Sequence, residues 1–218
     1  MQRIIFIHGF GESERIFDKI APSIGGNQIF VNVWELLGNE PIEGLNVVNF
    51  SEKLITHFKI TAQDVVIGHS MGGWTAHHIK HQIGCRIVQI ATWTAFDRVI
   101  SPIRNGKILY WLVRYGLYIN RFQRWLFVRM YKGKPSQQIF SDIFTDLVNA
   151  PKTAIINQLK LIFEPVPNIY SQPDLRIHAL KDTVIKYPRE PFHEVPGDHF
   201  TLVTHPQTVI EPIVAFLK

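Results

Sequence analysis

A serine on a glycine-flanked turn is the residue in this sequence best placed to act as a nucleophile. Ser70 stands in the sequence GHSMG, directly after the apolar run at 64–67 and before a stretch with helical periodicity. A tight strand-to-helix turn lifts such a serine above the edge of a sheet, and glycines leave room for the backbones that approach one another there. The pattern therefore predicts a nucleophilic serine. The alternative is a Gly/Ser turn that only packs.

A second glycine-rich turn, HGFG at residues 8–11, follows the first apolar run. A turn of this kind can direct a backbone N–H at the negative oxygen that develops during acyl transfer. We expect the N–H of Phe10 to be one donor and the N–H of Met71, the residue after the serine, to be the other. An ordinary strand-exit turn is the alternative.

A general base is predicted near the C-terminal end, in the sequence VPGDHF. His199 lies there on a loop between a short strand and the last helical stretch, from which a histidine can reach a serine at the sheet edge. His193 and His205 are the alternatives. We expect His193 to lie within the strand and His205 to begin the last helix.

The carboxylate that orients this histidine is expected at the end of the preceding strand. Asp182 follows the apolar run at 175–180, and the chain order Ser70, Asp182, His199 fits a serine hydrolase built on a parallel sheet. A carboxylate there can accept the second ring N–H of the histidine and fix its tautomer. Asp97 and Asp198 are the alternatives.

The elements that must position these residues alternate between short β-branched runs and longer amphipathic stretches, which is typical of an α/β protein with a mostly parallel sheet. The predicted strands are Arg3–His8, Gln28–Val33, Asp64–Gly68, Arg86–Ala91, Leu175–Leu180 and Phe192–Val195. The predicted helices are Glu14–Ser23, Ser51–Phe58, Met71–Gln82 and Pro206–Leu217.

A strand-free and strongly basic stretch interrupts this alternation. Residues 98–134 contain nine Lys or Arg and no Asp or Glu. Its best helix is predicted over Tyr110–Lys132, with one apolar stripe that includes Phe122, Leu126 and Met130 and with the arginines on the other side; Gly116 and Asn120 can split it. We interpret 95–166 as a helical cap inserted between the two parts of a core domain, 1–94 and 167–218.

With these motifs the chain resembles the α/β-hydrolase superfamily over residues 3–37, 64–91 and 175–218. The sequence HGFGE at 8–12 looks like that of small esterases and C–C hydrolases, whereas VPGDHFTLV at 195–203 is similar to type II thioesterases and the thioesterase domains of carrier-protein synthases. The resemblance implies an α/β-hydrolase fold with a mostly parallel sheet flanked by helices, a helical cap, hydrolysis through a covalent acyl-enzyme, and no cofactor.

Two features depart from the family pattern. The segment between Asp182 and His199 is short and contains Pro188 and Pro191, so we expect the usual helix there to be absent or a single turn. The first crossover is short as well, which favours fewer than eight strands.

The expected function is hydrolysis of a carboxylic ester or acyl thioester. C–C bond hydrolysis or a lyase reaction by the same triad is one alternative, and a non-catalytic ligand-binding protein of this fold is another. We expect His69 to pack beside the site and contact substrate, and aromatic side chains to line the acyl pocket. These are Trp93, Trp111, Phe122 and Trp125.

Composition excludes several other classes. The only cysteine, Cys85, rules out an intramolecular disulfide and fits a cytoplasmic protein in which it is a small core residue. No apolar run is long enough for a membrane helix. No nucleic-acid motif is present, and His77 and His81 lack the glutamate of a zinc-protease motif, so we expect no metal. The basic cap is expected to attract an acidic carrier protein or an anionic surface.

Overall fold

A single parallel sheet forms the centre of the protein, of which a computed structural model describes residues 2–169 and 171–218. Its strands lie in the order β2-β1-β3-β4-β5-β6, and every neighbouring pair is parallel. All six predicted strands are present. They are β1 Arg3–Ile7, β2 Asn27–Val31, β3 Val65–His69, β4 Arg86–Ile90, β5 Leu175–Ala179 and β6 His193–Val195.

The sheet is buried on both faces because its central strands are nearly continuous apolar runs. Side chains alternate between the two faces along a strand. In β1, Ile5 and Ile7 therefore pack into the core layer on one side, together with Cys85, whereas Ile4 and Phe6 pack into the layer on the other.

The described helices cover both faces and the carboxyl edge of the sheet. They are α1 Val33–Leu37, α2 Val47–Phe58, α3 Met71–Ile83, α4 Gly106–Arg114, α5 Arg121–Met130, α6 Gln137–Asn149, α7 Lys152–Phe163, α8 Thr201–Thr204 and α9 Pro206–Leu217. No helix in the described residues is both long enough and apolar enough to cross a lipid bilayer.

Asparagines set the start of four of these helices. The side chain of each accepts a hydrogen bond from a backbone N–H in the first turn, which satisfies a donor that has no partner within the helix. These residues are Asn32, Asn46, Asn105 and Asn120.

Two predicted helices differ from the structure. The segment Glu14–Ser23 forms two short 3₁₀ turns, Glu14–Phe17 and Ala21–Ser23, instead of one helix. The long cap helix is divided into α4 and α5, because Gly116 and Ile119 adopt positive φ angles of 69° and 58° between them. The two residues named as possible break points lie in this division, with Asn120 as the N-cap of α5.

Helices α4–α7 lie between β4 and β5 and form the helical insertion. Leu109 and Val113 of α4 pack with Leu159 of α7 in a small core of their own, whereas Leu161 of α7 belongs to the main core. The last helix of the insertion is thus shared by both cores. None of residues 180–192, all of which are described, is helical, as the prolines predicted.

Candidate active site

The turn that carries Ser70 lies between β3 and α3 and has an unusual backbone. Ser70 has φ 52° and ψ −122°, a combination that side-chain-bearing residues rarely adopt. The neighbouring strand holds it in place: the Ser70 N–H donates to the Ile90 carbonyl at 3.0 Å, and the Thr92 hydroxyl donates to the Ser70 carbonyl at 2.6 Å. The position of the serine is therefore fixed by the sheet.

Two glycines in this turn are required by close backbone approach. A Cβ on Gly72 would lie 1.9 Å from the carbonyl oxygen of Ile7, and one on Gly68 would lie 2.4 Å from the carbonyl carbon of Gly72. The absence of these atoms lets the start of α3 sit directly against the end of β1. This brings the loop after β1 beside Ser70.

Three polar side chains from separate loops form a continuous chain of hydrogen bonds. The Oγ of Ser70 lies 3.1 Å from His199 Nε2, and His199 Nδ1 lies 2.8 Å from Asp182 Oδ2. All three residues are buried, with Ser70 only 7% exposed. The geometry is that of a nucleophile, a general base and an orienting carboxylate.

The loop after β5 anchors the carboxylate rigidly. Asp182 Oδ1 accepts the N–H groups of Val184 at 2.7 Å and Ile185 at 2.9 Å, which leaves Oδ2 for His199. Burial raises the pKa of Asp182, but His199 outweighs it and the net pKa lies below the usual value. Burial likewise lowers the pKa of His199, and the charge of Asp182 reverses this to a net rise.

The alternative acids and bases have other partners. The side chain of Asp97 is 54% exposed and lies 3.7 Å from Arg189. The carboxylate of Asp198 accepts from the hydroxyl of Ser136 in the cap. His193 is exposed on β6, and His205 is bonded to Thr204 at the start of α9.

The loop after β1 leaves one N–H free beside the serine. The Gly9 N–H donates to Glu12 Oε2 at 2.6 Å, and the Gly11 N–H donates to Gln158 Oε1 at 2.9 Å. Between them, the Phe10 N–H has no acceptor among residues 2–169 and 171–218, and the same is true of the Met71 N–H at the start of α3. These are the two groups predicted to stabilise an oxyanion.

A buried carboxylate–histidine pair, Glu12 and His69, lies next to the triad, and no role was predicted for Glu12. His69 Nδ1 is 2.9 Å from Glu12 Oε2, and His69 Nε2 is 2.9 Å from the backbone carbonyl of His199. A carbonyl only accepts, so Nε2 must donate to it. Burial raises the pKa of Glu12, but the pairing with His69 outweighs it and leaves the net pKa lowered. The ionised carboxylate accepts the hydrogen bond of the Gly9 N–H and lies against His69 Nδ1.

This network corrects the role predicted for His69. Its side chain is fully buried and both ring nitrogens already have partners, so it supports the main chain of His199 and has no nitrogen left for a substrate. The only sequence signal for its partner was a glutamate directly after HGFG. Nothing in that pattern indicated that the two residues would meet.

The aromatic residues predicted for the acyl pocket do not enclose one. Trp93 is 1% exposed and packs in the main core, with its ring 6.1 Å from that of Trp74. Trp111, Phe122 and Trp125 are 53%, 68% and 56% exposed, so they face solvent on the outside of the cap.

Two of the three histidines of α3 are buried and the third is exposed. His77 and His78 are buried, and the ring of His78 meets Trp74 edge-on at 4.3 Å. Burial lowers the pKa of His77 to about 3 and that of His78 to about 4, so both are neutral near pH 7. Only His81 of this group is exposed.

One group of side chains has the spacing of metal ligands, namely Glu12, His69 and His199. Every ring nitrogen in it is already hydrogen-bonded to a carboxylate, a carbonyl or the Ser70 hydroxyl. We therefore interpret the group as part of the hydrogen-bond network.

Residues of the cap form hydrogen bonds with the loops that carry Ser70's neighbours Asp182 and His199 and with the loop after β1. Gln158 of α7 accepts a hydrogen bond from the Gly11 N–H in the loop after β1, and Ser136 donates to Asp198, the residue before His199. The hydroxyl of Tyr131 lies 3.0 Å from that of Thr183, which follows the orienting carboxylate. Sequence reasoning did not find these contacts, because they join residues far apart along the chain.

Solved structures share this architecture over the whole chain. A hydrolase from Oleispira antarctica is 14% identical with a TM-score of 0.72, covering 100% of this chain and 91% of that one. An enol-lactonase from Burkholderia xenovorans LB400 is 14% identical with a TM-score of 0.73, covering 99% and 91%. A thermophilic esterase from Thermogutta terrifontis is 15% identical with a TM-score of 0.69, covering 100% and 89%.

Comparison of sequences alone does not reveal this similarity. No protein-family model and no curated protein matches the chain. The similarity of structure, together with the parallel sheet and the serine turn between β3 and α3, shows that this chain has the α/β-hydrolase fold.

Proposed function

We infer that the protein is a serine hydrolase that cleaves a carboxylic ester or an acyl thioester through an acyl-enzyme intermediate. The observation that carries this proposal is the hydrogen-bonded series Ser70–His199–Asp182, and the N–H groups of Phe10 and Met71, which have no acceptor in the described residues, support it. The hydrolase, lactonase and esterase among the structural neighbours are consistent with it.

The proposed reaction follows from this geometry. His199 Nε2 takes the Ser70 proton as Oγ attacks the carbonyl carbon, and Asp182 stabilises the imidazolium that results. The negative oxygen of the tetrahedral intermediate accepts from the N–H groups of Phe10 and Met71. Its collapse expels the alcohol or thiol, which takes the proton from His199.

Deacylation repeats these steps with water as the nucleophile. His199 removes a proton from the water, which attacks the acyl carbon, and the proton then returns to Ser70 as the carboxylic acid leaves. We place this reaction in the cytoplasm, because the only cysteine, Cys85, is a buried free thiol and no disulfide is needed.

The proposal is tested by labelling the intact protein with a fluorophosphonate probe and mapping the adduct. We expect modification of Ser70, together with turnover of p-nitrophenyl esters or acyl thioesters of graded chain length. The variant Ser70→Ala should lose both, whereas Ser101→Ala should lose neither. An adduct on Ser13, Ser51 or Ser101, or no turnover across both substrate series, would contradict the proposal.

A further inference from the structure

Large apolar side chains are exposed on one part of this protein far more than elsewhere. Of the twelve large hydrophobic residues that are exposed in the described chain, eight lie between residues 108 and 130. Single exposed apolar residues are ordinary, but a concentration of them marks an interaction surface. The eight are Ile108, Trp111, Tyr115, Leu117, Phe122, Trp125, Leu126 and Met130.

Helix α5 turns Phe122, Leu126 and Met130 toward solvent, and Arg121 and Arg129 are exposed beside them, so these two arginines do not lie on the side opposite the apolar stripe as predicted. The inward face packs Phe127 against Phe144 and binds Arg124 to the hydroxyls of Thr145 and Ser141, both at 2.9 Å. These contacts fix the rotation of the helix. Its exposed face therefore consists of Arg121, Phe122, Trp125, Leu126, Arg129 and Met130.

Helix α4 presents the same combination of side chains. Leu109 and Val113 face inward and are buried in the small core that α4 forms with α7. The opposite face is apolar and cationic at helical spacing. It consists of Lys107, Ile108, Trp111, Arg114 and Tyr115, all of which are exposed.

The charge around these two faces has one sign only. Residues 98–134 include nine Lys or Arg and no acidic residue. None of the nine forms an ion pair with another residue in the described part of the chain. The charge of the six that are exposed is therefore available to a partner; these are Arg104, Lys107, Arg114, Arg121, Arg129 and Lys132.

This charge argues against a second copy of the chain as that partner. A two-fold interface places the same patch on both sides, so the cations of one copy would face those of the other with no acidic residue in the stretch to balance them. The occupant must instead be anionic, and it must also accept the large apolar side chains exposed on the same faces.

We propose that the outer faces of α4 and α5 dock the protein on an anionic lipid bilayer. A helix that lies in the plane of a membrane has apolar and aromatic residues on one side together with Lys or Arg that contact acidic headgroups. Trp is favoured at that depth because its ring is apolar and its N–H is polar. Arg129 stacks on Trp125, with the guanidinium carbon 5.7 Å from the ring centre, so a cation and an apolar anchor act at the same level.

The test measures binding to vesicles and does not depend on hydrolysis. The full-length Ser70→Ala protein is sedimented with vesicles of phosphatidylcholine alone and with an equimolar mixture of phosphatidylcholine and phosphatidylglycerol. We expect binding only to the mixture, weakened by salt. The pair Arg121→Gln and Arg129→Gln should lower the partition coefficient about 25-fold, or about fivefold per charge removed.

The apolar contribution needs its own variant and a matched control. The pair Phe122→Ser and Trp125→Ser should lower binding at least as strongly, with an unchanged thermal midpoint, because both side chains are exposed. The pair Tyr187→Ser and Arg189→Gln removes an exposed aromatic and an exposed arginine outside the cap, and should bind like the parent.

Three results would overturn the proposal. The first is no sedimentation with the phosphatidylglycerol vesicles. The second is vesicle binding that depends on the arginines but not on Phe122 and Trp125, which would indicate adsorption by charge alone without docking of the apolar faces. The third is a dimer in light scattering that the Phe122→Ser and Trp125→Ser pair converts to a monomer.

Discussion

Asp182→Asn is the substitution whose effect the structure determines most closely. Two backbone N–H groups, from Val184 and Ile185, donate to Oδ1 at 2.7 and 2.9 Å. In the asparagine the oxygen must keep that position, because an amide nitrogen there would leave both donors unpaired at a cost of about 1–3 kcal/mol each. The amide nitrogen therefore takes the place of Oδ2.

An amide nitrogen at Oδ2 donates to His199 Nδ1 and forces the ring proton onto Nε2, which then faces Ser70 as a donor. The serine loses its base, so kcat should fall about 10⁴-fold, equivalent to about 5 kcal/mol of transition-state stabilisation. The assay is kcat for the best p-nitrophenyl ester, with the thermal midpoint as the check on folding.

The controls are the two alternative carboxylates. Asp97→Asn should leave kcat unchanged, because the Asp97 side chain is half exposed and lies against Arg189. A loss of less than tenfold in a folded Asp182→Asn protein, or a larger loss in Asp198→Asn, would refute the reasoning and move the orienting acid elsewhere.

Two further outcomes concern buried titratable groups. Glu12→Ala removes the oxygen that both the Gly9 N–H and His69 Nδ1 contact, so it should lower the free energy of unfolding by about 1–3 kcal/mol and reduce kcat, whereas equal unfolding curves and rates would remove the pair from the site. His78, whose pKa is lowered from 6.5 to about 4 by burial, stays neutral in the fold while the unfolded chain binds a proton. Its stabilising contribution is thus complete above pH 6.5 and is lost as the pH falls toward 4. Urea unfolding at several pH values should show less acid destabilisation for His78→Phe than for His81→Phe, and identical pH dependence would contradict this.

The sheet and the reacting groups were accessible from sequence because their signals are local. Each strand is a short apolar run, and Ser70 and His199 lie next to glycines or at strand ends whose positions the topology dictates. Parallel strands place such ends at a common edge, so the sequence alone indicates that Ser70, Asp182 and His199 lie close together, as the structure has them.

The remaining features depend on contacts between distant residues. The pairing of Glu12 with His69 and of Gly11 with Gln158 spans 57 and 147 positions, and no local pattern encodes either. The amphipathic pattern of the cap identified helices but not which face points inward. Hydroxyl groups of α6 accept hydrogen bonds from Arg124 of α5, and these bonds turn Phe122 and Trp125 outward.

The strand order also governs when the site can exist during synthesis. β3 is added beside β1, on the side away from β2, and each later strand is then added beside the one before it, in the order β4, β5, β6. The serine turn follows the third strand, whereas the orienting acid and the base follow the fifth and sixth. A nascent chain therefore exposes the serine turn well before it has a base to activate it. On the proposed mechanism the hydrolase stays inactive until the three-residue strand β6 has docked, and recovered activity after refolding reports the completed sheet.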